Sequence, residues 1–287
     1  MKKAILMTIT AIVVCQLGSG LAKNLFEVAG PLAMAWLRVT TAAALLLVFV
    51  RPKLRHRTRT DWLVLLGYAV TLVTMNVSFY QAIARIPIGL AVTIEFLGPL
   101  AVAVIKSRGW RDLIWVGLAG AGVALLGWSP DSLTLEGVLF ALVAATCWGC
   151  YILITPHTGR RWPGPQPVVV ANLLGSAVLI IPVLTLFGQV FTSPWVWAVG
   201  FAVGLLSSVL PYWLELAALR SLDQRIFSIL MSIEPAAGAL SGLIILGERL
   251  SLTDIAAMAC VMTASLGITI TVGRAARMTR ECTPEAG

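Results

Sequence analysis

Four charged side chains lie inside long apolar runs of this sequence: Arg38, Glu95, Glu215 and Glu234. At the centre of a membrane-spanning helix each costs about 2.5–3.5 kcal/mol even on an insertion scale lenient to charge, so such residues mark sites and pathways. Glu95 and Glu234 fall near the middles of their runs. Arg38 lies about eight residues into its own, roughly 12 Å of helix rise from the end, and Glu215 sits nearer an end, where water is closer. A carboxyl facing a central cavity can exchange a proton against a solute. The two central glutamates could equally be permanent hydrogen-bond or ion partners, with Arg38 as the mate, that only hold helices together. Residue type leaves both readings open.

Two prolines sharpen the first reading. Pro99 has no N–H for the carbonyl of Glu95, and Pro235 has none for that of Met231, so each run is expected to break beside its glutamate and free backbone acceptors. Helices broken at mid-membrane commonly build transport sites. Ser19, Asn76, Tyr80, Trp148, Tyr151 and Tyr212 lie in the same set of runs and supply amides, hydroxyls and aromatic faces. Together with the carboxylates they suit a small zwitterion such as an amino acid, whose ammonium can also pack on an aromatic ring. Trp62, Trp110, Trp162, Trp195 and Trp197, at run ends, read instead as membrane-interface residues.

Other chemistries lack their residues. The two histidines, His56 and His157, fall in expected loops, so no catalytic or metal-binding pair can be assembled from spacing. Cys147-Trp148-Gly149-Cys150 has CxxC spacing, yet it sits in an apolar run where free cysteines are ordinary small packing residues. Gly117-Leu118-Ala119-Gly120-Ala121-Gly122 lacks the preceding strand and third glycine of a dinucleotide fingerprint, and no P-loop occurs. No enzymatic activity, metal, cofactor or ATP-driven step is expected.

The elements that must position these residues follow from composition. Apolar residues make up 59% of the 287 and charged residues 12%, outside what a water-soluble domain can bury. Runs long enough to cross about 30 Å of hydrocarbon occupy 4–21, 31–50, 62–84, 88–105, 113–128, 136–155, 167–188, 195–219, 226–246 and 253–272. The chain is therefore expected to be an all-α integral membrane protein of about ten transmembrane helices. The formal charge of +8 does not point to nucleic acid, because its placement is topological. Alternate connections hold Lys2, Lys3, Arg51, Lys53, Arg55, Arg57, Arg59, Lys106, Arg108, Arg111, Arg160, Arg161, Arg220, Arg225, Arg274, Arg277 and Arg280. The other four of the 21 basic residues are Lys23, Arg85 and Arg249 in the opposite loops and Arg38 within a run. The positive-inside rule then puts both termini in the cytoplasm. Lys2 and Lys3 ahead of Gly20-Leu21-Ala22 could mark a cleavable signal, but its removal would leave unequal halves, so the first run is expected to stay as a span.

Ten spans divide into five and five, 1–130 and 131–287. The stretch 76–99 passes through a short turn to Glu95 and Pro99, and 212–235 does the same to Glu234-Pro235. Five is odd, so a tandem copy of a five-helix unit inserts upside down, giving two inverted repeats and alternating access. Gly117, Gly120, Gly122 and Gly127 in the fifth run, with Gly238 and Gly242 in the ninth, read as sites of close helix packing.

One set of motifs runs through the first half: Ser19-Gly20-Leu21-Ala22-Lys23, Leu37-Arg38, Met75-Asn76 with Phe79-Tyr80, and Ile88-Gly89-Leu90-Ala91-Val92 leading to Glu95-Phe96-Leu97-Gly98-Pro99-Leu100. The second half carries Cys147-Trp148 with Tyr151, Leu210-Pro211-Tyr212 with Glu215, Met231-Ser232-Ile233-Glu234-Pro235, and Leu246-Gly247-Glu248. In this combination the chain resembles the EamA-type branch of the drug/metabolite transporter superfamily. The resemblance implies a ten-helix inverted-repeat fold and efflux of threonine, homoserine or related amino acids by antiport against protons. Thr93-Ile94 before Glu95 and Ile154-Thr155-Pro156 after the sixth run depart from the pattern and bear on the substrate. A broader metabolite or drug exporter of the same fold, and a non-transporting assembly or sensor subunit, are the competing expectations.

Overall fold

The computed structural model describes residues 2–106, 113–126 and 133–281. In chain order the helices are α1 (Lys2–Lys23), α2 (Phe26–Phe49), α3 (Arg59–Ile83), α4 (Ile88–Glu95), α5 (Leu97–Lys106), α6 (Leu113–Leu126) and α7 (Leu135–Arg161). They continue as α8 (Gln166–Phe187), α9 (Pro194–Gly204), α10 (Leu210–Leu219), α11 (Gln224–Met231), α12 (Glu234–Ser241) and α13 (Leu252–Glu281). No strand occurs among the described residues. Nine spans of the described residues are long and apolar enough to cross a membrane, with α4–α5, α9–α10 and α11–α12 each forming one broken span; α6 is a shorter apolar helix between the fourth and fifth of them. The order matches the ten runs read from the sequence. Large apolar side chains such as Leu6, Val48, Val70, Leu135, Ile181 and Ile244 stand exposed around the bundle, as lipid-facing surfaces require. Trp110, Arg108, Arg111, Gly127, the end of the fifth run and the 130/131 boundary lie outside the described residues. So do the side chains of Lys106, Arg225, Arg274, Arg277 and Arg280.

The expected end of the sixth span is corrected. α7 does not stop at residue 155 but runs through Pro156 to Arg161, so His157 lies on a helix rather than in a loop. The hydroxyls of Thr155 and Thr158 donate to the carbonyls of Tyr151 and Ile154, and the His157 ring meets that of Leu153, which supports the turn that proline disturbs. Trp162, which follows the last turn of α7, is fully buried. Its Nε1 donates to the Asp61 carbonyl, Trp62 meets it edge-on at 5.5 Å, and the Arg57 guanidinium lies 4.3 Å from its ring centroid.

The packing has an internal symmetry. α2 lies along α8, α6 along α13 and α4 against α12. α3 packs on α7 as α9 and α10 pack on α1, and α7 receives α4 and α5 as α1 receives α11 and α12. These contacts map onto themselves when the first five spans are exchanged with the last five.

Small residues permit the closest of these contacts. A Cβ on Gly98 of α5 would collide with the Ala145 carbonyl oxygen and come within 3.2 Å of the Gly149 amide nitrogen, so α5 and α7 meet backbone to backbone. Gly122 likewise meets the Ala257 carbonyl oxygen and Gly238 and Gly242 lie close against the Val92 and Glu248 side chains, whereas Gly117 and Gly120, expected to pack, have no atom within 4 Å of an added Cβ. Gly98→Val is therefore expected to abolish the monodisperse peak of detergent-solubilised protein, since overpacking against a rigid backbone costs about 1–3 kcal/mol or more. Gly117→Val should leave that peak unchanged.

Candidate functional site

The two broken spans meet in a V. α4 ends at Glu95 and α5 starts at Leu97; α11 ends at Met231 and α12 starts at Glu234, with Pro235 in its first turn. The halves α4 and α12 pack on one another, at the end of the bundle that carries Lys23. The other halves diverge: α5 packs on α7 and α13, and α11 on α1 and α13. Close approach at the packed end is set by Gly89, where a Cβ would come 2.7 Å from Ala239 Cβ. Glu95 and Glu234 stand at the vertex, each only 9% exposed.

A cavity of about 120 Å³ opens there, room for several waters or one small solute. Six of the side chains singled out from the sequence line it together: Ser19, Arg38, Asn76, Glu95, Trp148 and Glu234. Cys15, Gln16, Met75, Phe79 and Val92 complete the lining and were missed, being neutral residues in apolar runs. Tyr80 is fully buried behind Arg38, whose guanidinium carbon lies 5.5 Å from its ring centroid. Tyr151, Tyr212 and Glu215 do not line the cavity. The Tyr68 hydroxyl donates to that of Tyr151 at 3.0 Å with ring centroids 4.9 Å apart. Glu215 is half-buried and close enough to Glu234 to act on it through space.

No carboxylate lies within ion-pair distance of Arg38 among the described residues. Its Nε donates to Ser208 Oγ and its Nη2 to the Ser207 carbonyl, both at 2.9 Å. These acceptors belong to a π-helical turn, Leu205–Val209, between α9 and α10, a distortion common at functional sites. Gly200 and Gly204 bring α9 close against Leu37 and Thr41 of α2, which seats the turn beside Arg38. Glu95 and Glu234 make no hydrogen bond or ion pair with the described residues, although Arg38 acts on Glu95 through space. Trp148 stacks edge-on against Phe96 at 5.4 Å, bracing the break beside Glu95.

The packed end of the V is fastened by charge. Lys23 Nζ pairs with Glu248 Oε1 at 2.5 Å and donates to the Ile86 carbonyl at 2.9 Å, while the Ile88 N–H donates to Glu248 Oε2 at 3.0 Å. The pair ties the end of α1, the α3–α4 connection and the segment after α12. At the opposite end Arg161 pairs with Asp61 at 2.9 Å and Arg57 donates to the Arg161 carbonyl at 2.7 Å, fastening α3 to α7 alone. Charge thus ties the α4 and α12 halves together at the Lys23 end, whereas at the Asp61 end it ties α3 to α7.

A polytopic helical bundle with polar and charged groups gathered at a mid-span helix break is the architecture of a solute transporter. Residues 135–270 match the EamA-like transporter family. The threonine/homoserine exporter RhtA of Salmonella typhimurium LT2 is 39% identical over 276 residues, covering 94% of this chain and 92% of the relative. RhtA of Escherichia coli K12 is 38% identical over 280 residues, 96% and 94% of the two chains. The chain belongs to the EamA-like transporter family; it is a multi-pass membrane transporter and not an enzyme. An uncharacterized transporter of Archaeoglobus fulgidus is 26% identical over 204 residues, 69% of this chain and 73% of the relative. A solved crystal structure shares the fold, with a TM-score of 0.65 and 17% identity over 96% of this chain and 98% of the other.

Proposed function

We propose that this chain exports small amino acids of the threonine and homoserine type across the bacterial inner membrane, in antiport with protons. The observation that carries the reading is the cavity at the V, which gathers a cation, Arg38, and two carboxylates, Glu95 and Glu234, in one lining. A zwitterion presents the complementary pair of charges, its carboxylate to Arg38 and its ammonium to a glutamate. The names of the near full-length relatives support the same substrate class. An exporter of lipophilic cations would use an acid among aromatic rings and gain nothing from Arg38 beside it.

Glu95 and Glu234 are the candidate proton carriers, because they face the cavity without a hydrogen-bond partner among the described residues. The positive-inside pattern supports cytoplasmic termini, and with them the Asp61 end faces the cytoplasm and the fastened Lys23 end the outside. The exchange symmetry of the packing supports inverted repeats divided near 130/131. Alternating access then amounts to rocking the broken spans about their vertex. The test is threonine and homoserine efflux from cells overproducing the chain, with and without a protonophore. Accelerated efflux that the protonophore abolishes is expected; no acceleration for either amino acid would refute the reading.

A further inference from the structure

We propose that Gln16 selects the cargo, its side-chain amide pairing with the side-chain hydroxyl of a small hydroxy amino acid. The inference rests on the amino-acid export reading above and names the residue that sets its specificity.

Gln16 lies in α1 and lines the cavity, yet it is only 4% exposed, and its Oε1 is buried without a hydrogen-bond partner. Leaving an amide unpaired in the interior is unfavourable, and an apolar residue of similar size would avoid it. Among the described residues the other two buried side-chain atoms in this condition are Tyr80 OH and Ser207 Oγ, which flank Arg38 at the pole assigned to the substrate carboxylate. Among the other neutral polar groups of the lining, Ser19 Oγ donates to the Cys15 carbonyl at 3.2 Å, Asn76 Nδ2 to the Leu72 carbonyl at 2.8 Å and Cys15 Sγ to the Ser207 carbonyl at 3.6 Å.

The position of Gln16 fits the role. Ser241 Oγ donates to the Gln16 carbonyl at 2.7 Å, pinning this turn of α1 to α12. A Cβ on Gly238 would stand 3.4 Å from Gln16 Oε1, and Gly238 lies one helical turn from Glu234. Gln16 therefore stands about one turn from Glu234, and with the substrate ammonium on Glu234 the side chain of a bound amino acid would extend toward this amide. A hydroxyl both donates and accepts, so it can pair with this amide in either orientation. Valine, which carries a methyl in place of the threonine hydroxyl, would leave Oε1 unpaired, and sites built to bond a hydroxyl reject such isosteres.

The test is counterflow of radiolabelled threonine in proteoliposomes containing the purified chain, competed with threonine, homoserine or valine. Wild type should prefer threonine and homoserine over valine. In Gln16→Met, which removes the amide and keeps the length, the preference for threonine over valine should fall about tenfold, one neutral hydrogen bond, while valine exchange persists. An unchanged preference in Gln16→Met would overturn the inference and leave export standing. Should that variant fail to insert, the wild type alone decides, because valine competing as well as threonine would also overturn the inference. No exchange of any amino acid by wild type would refute the export reading, and the inference with it.

Discussion

Glu95→Gln and Glu234→Gln are each expected to abolish threonine export while leaving the folded protein as stable as wild type, or more so. Both carboxylates stand at the vertex of the V, nearly buried, with no hydrogen bond or ion pair to the described residues. Glutamine keeps the shape and removes the charge. Nothing in the bundle loses a partner, so the melting temperature in detergent should hold or rise, as it does when a functional site carries unfavourable polarity. Transport should suffer doubly. The charge-assisted hydrogen bond to an ammonium is worth about 1.5–3 kcal/mol, roughly ten- to a hundred-fold in affinity, and the loss of an exchangeable proton removes coupling altogether. Glutamates that merely tied helices together would behave in the opposite way: breaking a buried tie costs about 3–5 kcal/mol, so the variants would melt early and any loss of transport would follow misfolding. Efflux and melting temperature measured on the same preparations separate the two accounts, and normal export by both variants would end the functional one.

Lys23→Met and Glu248→Gln are expected to loosen the fastened end of the V. The pair is mostly shielded from water, with side-chain exposures of 20% and 14%, and each member holds a backbone group as well, the Ile86 carbonyl or the Ile88 N–H. Removing one partner of a shielded, hydrogen-bonded pair costs about 2 kcal/mol or more, which shifts the balance between closed and open ends roughly thirty-fold. Hydrogen exchange should quicken in residues 83–92 and 244–252 and stay unchanged in 57–61 and 158–162, where the Asp61 pair is intact. The swap Lys23→Glu with Glu248→Lys should rescue only partly, because the Ile86 carbonyl needs a donor at 23 and the Ile88 N–H an acceptor at 248. Unchanged exchange in both single variants would show that apolar contact such as Gly89 on Ala239 closes this end unaided.

Much of this was legible in the sequence because lipid enforces simple rules. Apolar runs of spanning length gave the spans, and Pro99 and Pro235 located the breaks, since a missing N–H acts locally. Arg38, Glu95 and Glu234 were conspicuous because charge in an apolar run is rare. Gln16 was not, being neutral and flanked by Cys15 and Leu17, though a glutamine within a span carries the same kind of signal at lower amplitude. The partner of Arg38 was hidden in a π-helical turn that no residue pattern announces. Lys23 was visible as a cation on the sparsely charged face, but Glu248 is 225 positions away, and only the folded chain brings them together. Gly117 and Gly120 show the limit of composition: a small residue permits close packing but does not say which face of the helix is used. Pro156 was read as a helix end because its flanking hydroxyls, which support the turn, look unremarkable one at a time.

The most direct test of the account uses the purified chain in liposomes loaded with radiolabelled threonine, with an inward proton gradient imposed. Wild type should release threonine faster with the gradient than without it, a protonophore should cancel the difference, and Glu95→Gln and Glu234→Gln should show no gradient-driven release. Release that ignores the gradient, or that survives in both glutamine variants, would contradict the assignment of cargo and proton to the cavity between the broken helices.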